Sequence, residues 1–502
     1  MRYAKYVLPL LLILLMGLGA VTNDSLWMDE GKRLYHAQEG TWKVLSDGMG
    51  QDMQPLFFLQ EWAWGNALCF KDWVMRGMNV PFLMLAAVYF MLILRQLKLH
   101  PAFALLLGLH PMAAYYVNDI SPYIILLACT FGVLYHGFFA RASWGNLAGM
   151  HVWLVMAYAY HFVAGFMLFI YAFAVAAGLW RQKKEFPLLR HAAVALVFCA
   201  AYLPLTWYYL QHMHDGTGHG WGAPGAGNLS YVLYSLLGFQ GLGLSRNDIR
   251  AAHWGNLTPA MVASLAAAAF CMAAVALLNL RTLGQLLRQR FVLCLAGYAA
   301  VFMAAAFVMK FQFWERHLMP LLAAFLVLEA QLFRAAWQGG RLRIVGRAAV
   351  AGVLACQLLS CAQLRLNPYH GKEDFKGVLE QMERNGSRTD GSVTLMQGHL
   401  AVWECYKAPW TTVGVYLHNP LAVKEGTMLS IDSLTTPQVL ECVDYLMRRH
   451  RKMYLILCEK ADSTRDLYPA AAETLQRRGY KVECDTTHNS FKILTLTQGL
   501  LY

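Results

Sequence analysis

Residues 6–30 read YVLPLLLILLMGLGAVTNDSLWMDE: a long apolar run passes straight into a segment that sets Asp24, Asp29 and Glu30 around Trp27. The run is too long for the core of a cleaved leader and ends without a small-residue cleavage site. It reads as a retained membrane span that doubles as a signal anchor. Similar runs recur near 74–94, 101–118, 120–140, 148–161, 162–180, 191–210, 257–280, 291–309, 317–333 and 348–362, so eleven crossings are expected. Hydrophobic residues make up 58% of the 502 and charged residues 14%, too apolar a balance for a water-soluble globule.

The formal net charge of +12 has a topological origin. With the N-terminus cytoplasmic, the inside segments collect Arg2, Lys5, Arg95, Lys98, Arg141, Arg181, Lys183, Lys184 and the later arginines through Arg347, against the single acid Glu185. The outer loops are mixed in charge, and the tail after 362 holds 17 basic and 16 acidic residues. This is the positive-inside pattern and not a polyanion footprint, so no nucleic-acid partner is expected. An odd number of spans puts the tail outside. In a Gram-negative bacterium that means a multi-pass inner (plasma) membrane protein with its C-terminal part in the periplasm.

Three segments stand apart from the spans. The first outer loop, 23–73, is too long for a turn, and Leu34 and Ala37 at helical spacing suggest a short interfacial helix. Trp27, Trp42, Trp62, Trp64 and Trp73 suit headgroup depth. The outer segment 211–256 is rich in glycine and contains His212, His214 and His219, which lack an acidic or cysteine partner at metal-ligand spacing. The tail alternates strand-like SVTLM (392–396), YLILC (454–458) and FKILTLT (491–497) with helical 438–450 and 468–479, the pattern of a small α/β domain. It has neither a Gly-rich phosphate loop nor a nucleophile elbow, so an accessory role is expected of it. The expected domains are a membrane domain, 1–365, and a soluble extracytoplasmic domain, 366–502. Of the eleven cysteines, Cys405, Cys442, Cys458 and Cys484 lie in the tail, where a disulfide would persist; spacing does not assign a pairing.

Ionisable residues gather at the outer ends of the spans, where each is a candidate for function. Asp29 and Glu30 follow the first span. Asp52 precedes Gln54-Pro55, Arg76 opens the second span, and Asp119 and Tyr123 flank the turn between the third and fourth. His161 follows the fifth, and Lys310, Glu315, Arg316 and His317 join the ninth and tenth. Carboxylates beside cations in an outward cavity would supply a base and an anion clamp. Asp29 is also a plain candidate for a loop acid or a helix cap, and Glu329, deeper in the tenth span, reads as a helix-packing group.

The order of these elements resembles the GT-C type membrane glycosyltransferases that use polyprenyl-phosphate sugars. It is similar to bacterial relatives of protein O-mannosyltransferases and to the aminoarabinose transferases of lipid A. The resemblance is carried by the acidic pair after span one, QDMQPLFF, WVMRGMNVPF (73–82), HPMAAYYVNDISPY (110–123) and FWERHLMPLL (313–322). It spans roughly two-thirds of the chain and implies a helical polytopic membrane protein. It further implies Asp29 as the catalytic carboxylate, Glu30 as the second acid, Asp52 as the loop acid and Arg316 as the residue that holds the lipid phosphate. Arg76, Asp119, Tyr123, His161, Lys310, Glu315 and His317 are then candidates for substrate binding. This sequence departs from the family at Gln54-Pro55, where a His or Lys precedes a doubled proline, and at Ser121-Pro122-Tyr123, where an Arg is usual.

The implied donor is a lipid-linked sugar, and lipid, glycan or protein remain open as acceptors. No motif assigns a cofactor, and a divalent metal shared by Asp29 and Asp52 is left open. Competing classes are a secondary transporter or flippase of envelope precursors, a glycan ligase or polymerase, and a non-catalytic scaffold. The charges lie on one face and no internal repeat is visible, unlike the midplane sites and repeated halves of transporters.

Overall fold

In the computed structural model all twelve residues of the helix Tyr123–Leu134 are buried, so it stands at the centre of a helical bundle. The structure describes residues 4–22, 24–141, 143–168, 188–217, 224–250, 253–310, 313–339, 342–385, 390, 392–398, 400–406, 412–414, 428–432, 434–459 and 466–498. The expected span 162–180 beyond 168, His219, the tail segment 407–411 and the inside residues Arg2, Arg181, Lys183, Lys184, Glu185 and Arg341 lie outside the described residues. The chain divides into two units, one of residues 1–22, 41–69 and 73–370, the other of 23–40, 70–72 and 371–502.

In the first unit the helices Val80–Gln96, Trp144–Tyr160 and Met319–Gln338 pack against Tyr123–Leu134, and Ala4–Ala20 packs on Val80–Gln96. Among the described residues six helical segments are long and apolar enough to cross a bilayer, and Lys5–Ala20 and Tyr123–Phe139 are shorter apolar helices. The single span expected at 101–118 is instead broken into Pro101–Ala104, Leu105–Leu109 and Pro111–Val117. Pro111 is the cause: His110 before it is extended, with ψ of 121°, as the residue before a proline tends to be. Arg334 Nη1 donates to the Lys98 carbonyl (3.1 Å), which joins two segments that the charge pattern assigns to the same side.

The loop 23–73 holds three helices, Met28–Glu39, Trp42–Asp52 and Pro55–Ala67, and the start of a fourth, Asp72–Gly77, where the sequence suggested one. Thr41 caps Val44 N and Pro55 starts its helix at the first position, both ordinary start signals. Trp42, Trp62 and Trp73 are exposed, and Trp64 is half-buried. Trp27 is buried instead, at 6% exposure, which corrects its reading as an anchor.

The second unit is built on a six-stranded sheet in the order β2-β3-β1-β4-β6-β5: β1 Val393–Met396, β2 Thr412–Gly414, β3 Met428–Ser430, β4 Lys452–Cys458, β5 Tyr480–Asp485 and β6 Phe491–Gln498. The first four strands run parallel, and β6 and β5 add an antiparallel hairpin. Thr436–Met447 and Leu467–Arg477 pack Val439, Val443, Leu446, Ala471 and Leu475 onto one core with Leu395, Leu455 and Leu494. A further core stacks Phe375, Trp403 and Phe491 edge to face. All three strand-like runs and both helical runs read in the tail are present. Strands β2, β3 and β5 match none of these runs: the first two are three residues long, and YKVECD in β5 alternates polar residues on an exposed face. Among the described residues no disulfide is formed.

Candidate active site

The first unit brings together five of the residues expected to bind substrate. Glu315, Arg316 and His317 occupy one 3₁₀ turn ahead of Met319–Gln338, and all three are buried. The Arg316 guanidinium lies over the Tyr123 ring, 5.7 Å from its centre. The His317 ring sits 6.3 Å from Tyr123 and 6.0 Å from His161, and His161 lies 5.7 Å from Tyr123. Tyr116 OH donates a short hydrogen bond to Glu315 Oε1 and packs edge-on to Tyr123 at 5.2 Å.

Local sequence explains why this group holds its shape. His317 Nδ1 accepts from Trp314 N (3.0 Å), and Tyr298 OH donates to the His317 carbonyl (3.0 Å), so the turn is tied at both ends. Asn228 Nδ2 donates to the Phe313 carbonyl (2.9 Å). His161 ends the helix Trp144–Tyr160 in an extended conformation and caps Val163 N through Nδ1 (3.2 Å).

Arg246 belongs to the same neighbourhood and was not anticipated. It starts the short helix Arg246–Arg250, and its Nη1 donates to Tyr115 OH (3.4 Å). Burial works against its charge, but Tyr115, Tyr116 and Glu315 hold it, and the net effect raises its pKa. The available signal was a cation in the outer segment 211–256. The carboxylate of Asp248 fixes this helix: Ser245 Oγ and Tyr369 OH each donate to Oδ2 at 2.5 Å, and Asn256 Nδ2 donates to Oδ1 at 2.6 Å.

Other expected residues have different places. Arg76 is fully buried, and its Nη1 donates to the Thr22 carbonyl (3.1 Å). Thr22 N and Asn118 Oδ1 meet at 2.9 Å, and Asn79 Nδ2 donates to the Asp119 carbonyl (2.5 Å). This network joins the ends of three helical segments beside the buried Asp119. Asp52 is half-buried at the end of Trp42–Asp52; Met53 then turns left-handed (φ 52°), and its carbonyl accepts from Phe162 N at 3.3 Å, next to His161. Lys310 is exposed, also at positive φ (54°). His212 packs on Gly50, where a Cβ would come within 2.5 Å of its ring, and its Nδ1 hydrogen-bonds the Tyr208 carbonyl. Among the described residues no group of three or more His, Cys, Asp or Glu is placed to hold a metal.

The acidic stretch after the first span belongs to the second unit. Asp29 is half-buried in the first turn of Met28–Glu39, where a carboxylate suits the positive end of the helix. Glu30 is fully buried, accepts from Trp27 N (3.2 Å) and pairs with Lys372 Nζ at 2.9 Å. The capping role weighed for Asp29 therefore falls to Glu30. Leu26 N donates to Tyr406 OH (2.6 Å) and Lys376 N to Ser25 Oγ (3.1 Å), which accounts for the burial of Trp27. Gly31 is needed here: a Cβ would lie 2.6 Å from Val402 Cγ2 and 2.9 Å from Val402 Cα. Cys405 Sγ donates to the Gly31 carbonyl (3.0 Å) across the same contact.

No protein-family model and no curated protein sequence matches the chain. Solved structures do. ArnT from Cupriavidus metallidurans bound to undecaprenyl phosphate superposes with a TM-score of 0.54 at 12% identity, covering 99% of this chain and 98% of that one. Its apo form matches with a TM-score of 0.54, 13% identity and 97% of each chain. The Archaeoglobus fulgidus oligosaccharyltransferase tethered to an acceptor peptide matches with a TM-score of 0.51 and 11% identity over 98% of this chain and 74% of that chain. The protein has the GT-C glycosyltransferase fold. The GT-C likeness reaches beyond the two-thirds that the motifs cover and takes in the sheet-bearing tail.

Proposed function

We propose that the protein is a membrane glycosyltransferase that moves a sugar from a polyprenyl-phosphate donor to a hydroxyl-bearing acceptor at the outer face of the inner membrane. One observation carries this reading: the buried group of Tyr116, Tyr123, His161, Glu315, Arg316 and His317 stands in a fold shared, along nearly the whole chain, with an enzyme solved with undecaprenyl phosphate bound.

The chemistry asks little of the leaving group, because a phosphate monoester departs without a proton at neutral pH. In this reading Arg316 accepts the charge that develops on the lipid phosphate, with His317 and Arg246 beside it. The Tyr123 face and the Glu315 turn hold the guanidinium in place, so little reorganisation is needed when the bond breaks. Asp29 takes the acceptor's hydroxyl proton, a role that rests on the resemblance of the acidic pair after the first span to the GT-C enzymes. The acceptor oxygen forms a bond to the anomeric carbon as the bond from that carbon to the phosphate oxygen breaks, and one displacement inverts the anomeric centre. General-base help of this kind contributes roughly 10²–10⁴ in rate. Glu30, committed to a cap and an ion pair, supports the helix that carries Asp29.

Mass spectrometry of envelope lipids, glycans and proteins from cells with and without the gene tests the proposal. One sugar-bearing species should vanish with the gene and return with the wild-type protein. An unchanged envelope combined with gene-dependent solute uptake into vesicles would point to a transporter instead.

A further inference from the structure

Two side chains deep in the membrane unit take no part in the chemistry above. Glu329, on Met319–Gln338, is 3% exposed, and Gln357, on Arg343–Leu366, is 1% exposed. The two helices pack together and both are candidate spans. Gln357 Nε2 donates to Glu329 Oε1 at 2.8 Å. The remaining oxygens of the pair, Glu329 Oε2 and Gln357 Oε1, are buried with no hydrogen-bond donor among the described residues.

An ionised Glu329 fits this arrangement badly. A carboxylate only accepts, and the amide oxygen only accepts, so two adjacent groups would each leave an oxygen unmet. Among the described residues no cation pairs with Glu329, and an uncompensated charge at bilayer depth is costly. One hydrogen atom resolves both difficulties. Placed on Oε2, it removes the charge and converts two idle acceptors into a donor and an acceptor.

We propose that Glu329 works as a neutral carboxylic acid whose Oε2–H donates to Gln357 Oε1, so that acid and amide form a reciprocal two-bond clasp between the helices. Glu329 is thereby a positioning residue. The clasp fixes the depth of Met319–Gln338, and the turn that leads into this helix carries Glu315, Arg316 and His317.

Infrared difference spectroscopy of the full-length protein in lipid at neutral pH, wild type against Glu329→Gln, tests this directly. The carbonyl stretch of a protonated carboxyl should be present in the wild type and absent from Glu329→Gln. It should also be unchanged when Na⁺ replaces K⁺. Glu329→Gln keeps two amide hydrogen bonds and should melt within a few degrees of the wild type. Gln357→Leu should retain the band but shift it, because its hydrogen bonds are gone, and should melt lower. Absence of any protonated-carboxyl band that responds to these substitutions would overturn the clasp. A band that disappears on adding Na⁺ or K⁺ would overturn it in favour of a bound cation.

Discussion

Arg316 holds its guanidinium 5.7 Å from the centre of the Tyr123 ring, and both residues are buried. A cation over an aromatic face is worth about 0.5–2 kcal/mol, depending on how far it is desolvated. Tyr123→Leu should therefore slow transfer by roughly two- to thirty-fold, with most of the loss at low donor concentration. Tyr123→Phe keeps the ring and should stay near wild type. Initial rates against lipid-linked donor concentration separate the two.

Tyr116 and Glu315 should behave as a unit. They share a short hydrogen bond in a fully buried setting, so removing either partner leaves the other unmet, at about 1–3 kcal/mol. Tyr116→Phe and Glu315→Leu should each lower the melting temperature, and the double variant should fall well short of their sum. Additive losses would show that the pair is not coupled.

His370 and Asp248 set an acid limit on stability. Burial lowers the His370 pKa to about 4, from an ordinary value of 6.5. Between those values the unfolded chain binds more protons, so stability falls as pH drops from about 6.5 toward about 4. Asp248 pays burial, which raises its pKa, yet its bonds from Ser245, Tyr369 and Asn256 bring the net shift below the usual carboxylate value. Its contribution is present above the unfolded pKa and is lost as pH falls through the depressed folded one. His370→Gln should flatten the melting profile in the upper window, and Asp248→Asn should flatten it below about 4.

The helix that carries Asp29 depends on Gly31. Gly31→Ala would drive a Cβ into the Val402 backbone and should destabilise the protein by about 1–3 kcal/mol, a typical overpacking cost. Thermal melting checks this, and Glu39→Ala, at the exposed end of the same helix, serves as a control with little expected change.

The order of the outer-end residues was legible because a bilayer makes buried charge conspicuous: Glu315, Arg316, His317 and His161 stand out against apolar runs, and the structure gathers them. Tyr116 and Arg246 were not legible, since a tyrosine among apolar neighbours and an arginine in a polar loop carry no local signal. Their roles arise from contacts with residues far along the chain. Helix breaks at Pro111 were hidden by continuous hydropathy, which measures length without geometry. The embedding of DSLWMDE with the tail was invisible for a similar reason, because it rests on Tyr406, Lys372 and Val402, more than 340 positions away.

The most direct test supplies the purified full-length protein, in liposomes, with polyprenyl-phosphate sugars and acceptor extracted from the same cells. Wild-type protein should consume the lipid-linked sugar and release free polyprenyl phosphate together with a glycosylated acceptor. Asp29→Asn and Arg316→Ala, expressed and folded normally, should each reduce that release by at least about a hundredfold. Undiminished release from both variants, or no consumption of any lipid-linked sugar by the wild type, would contradict the account.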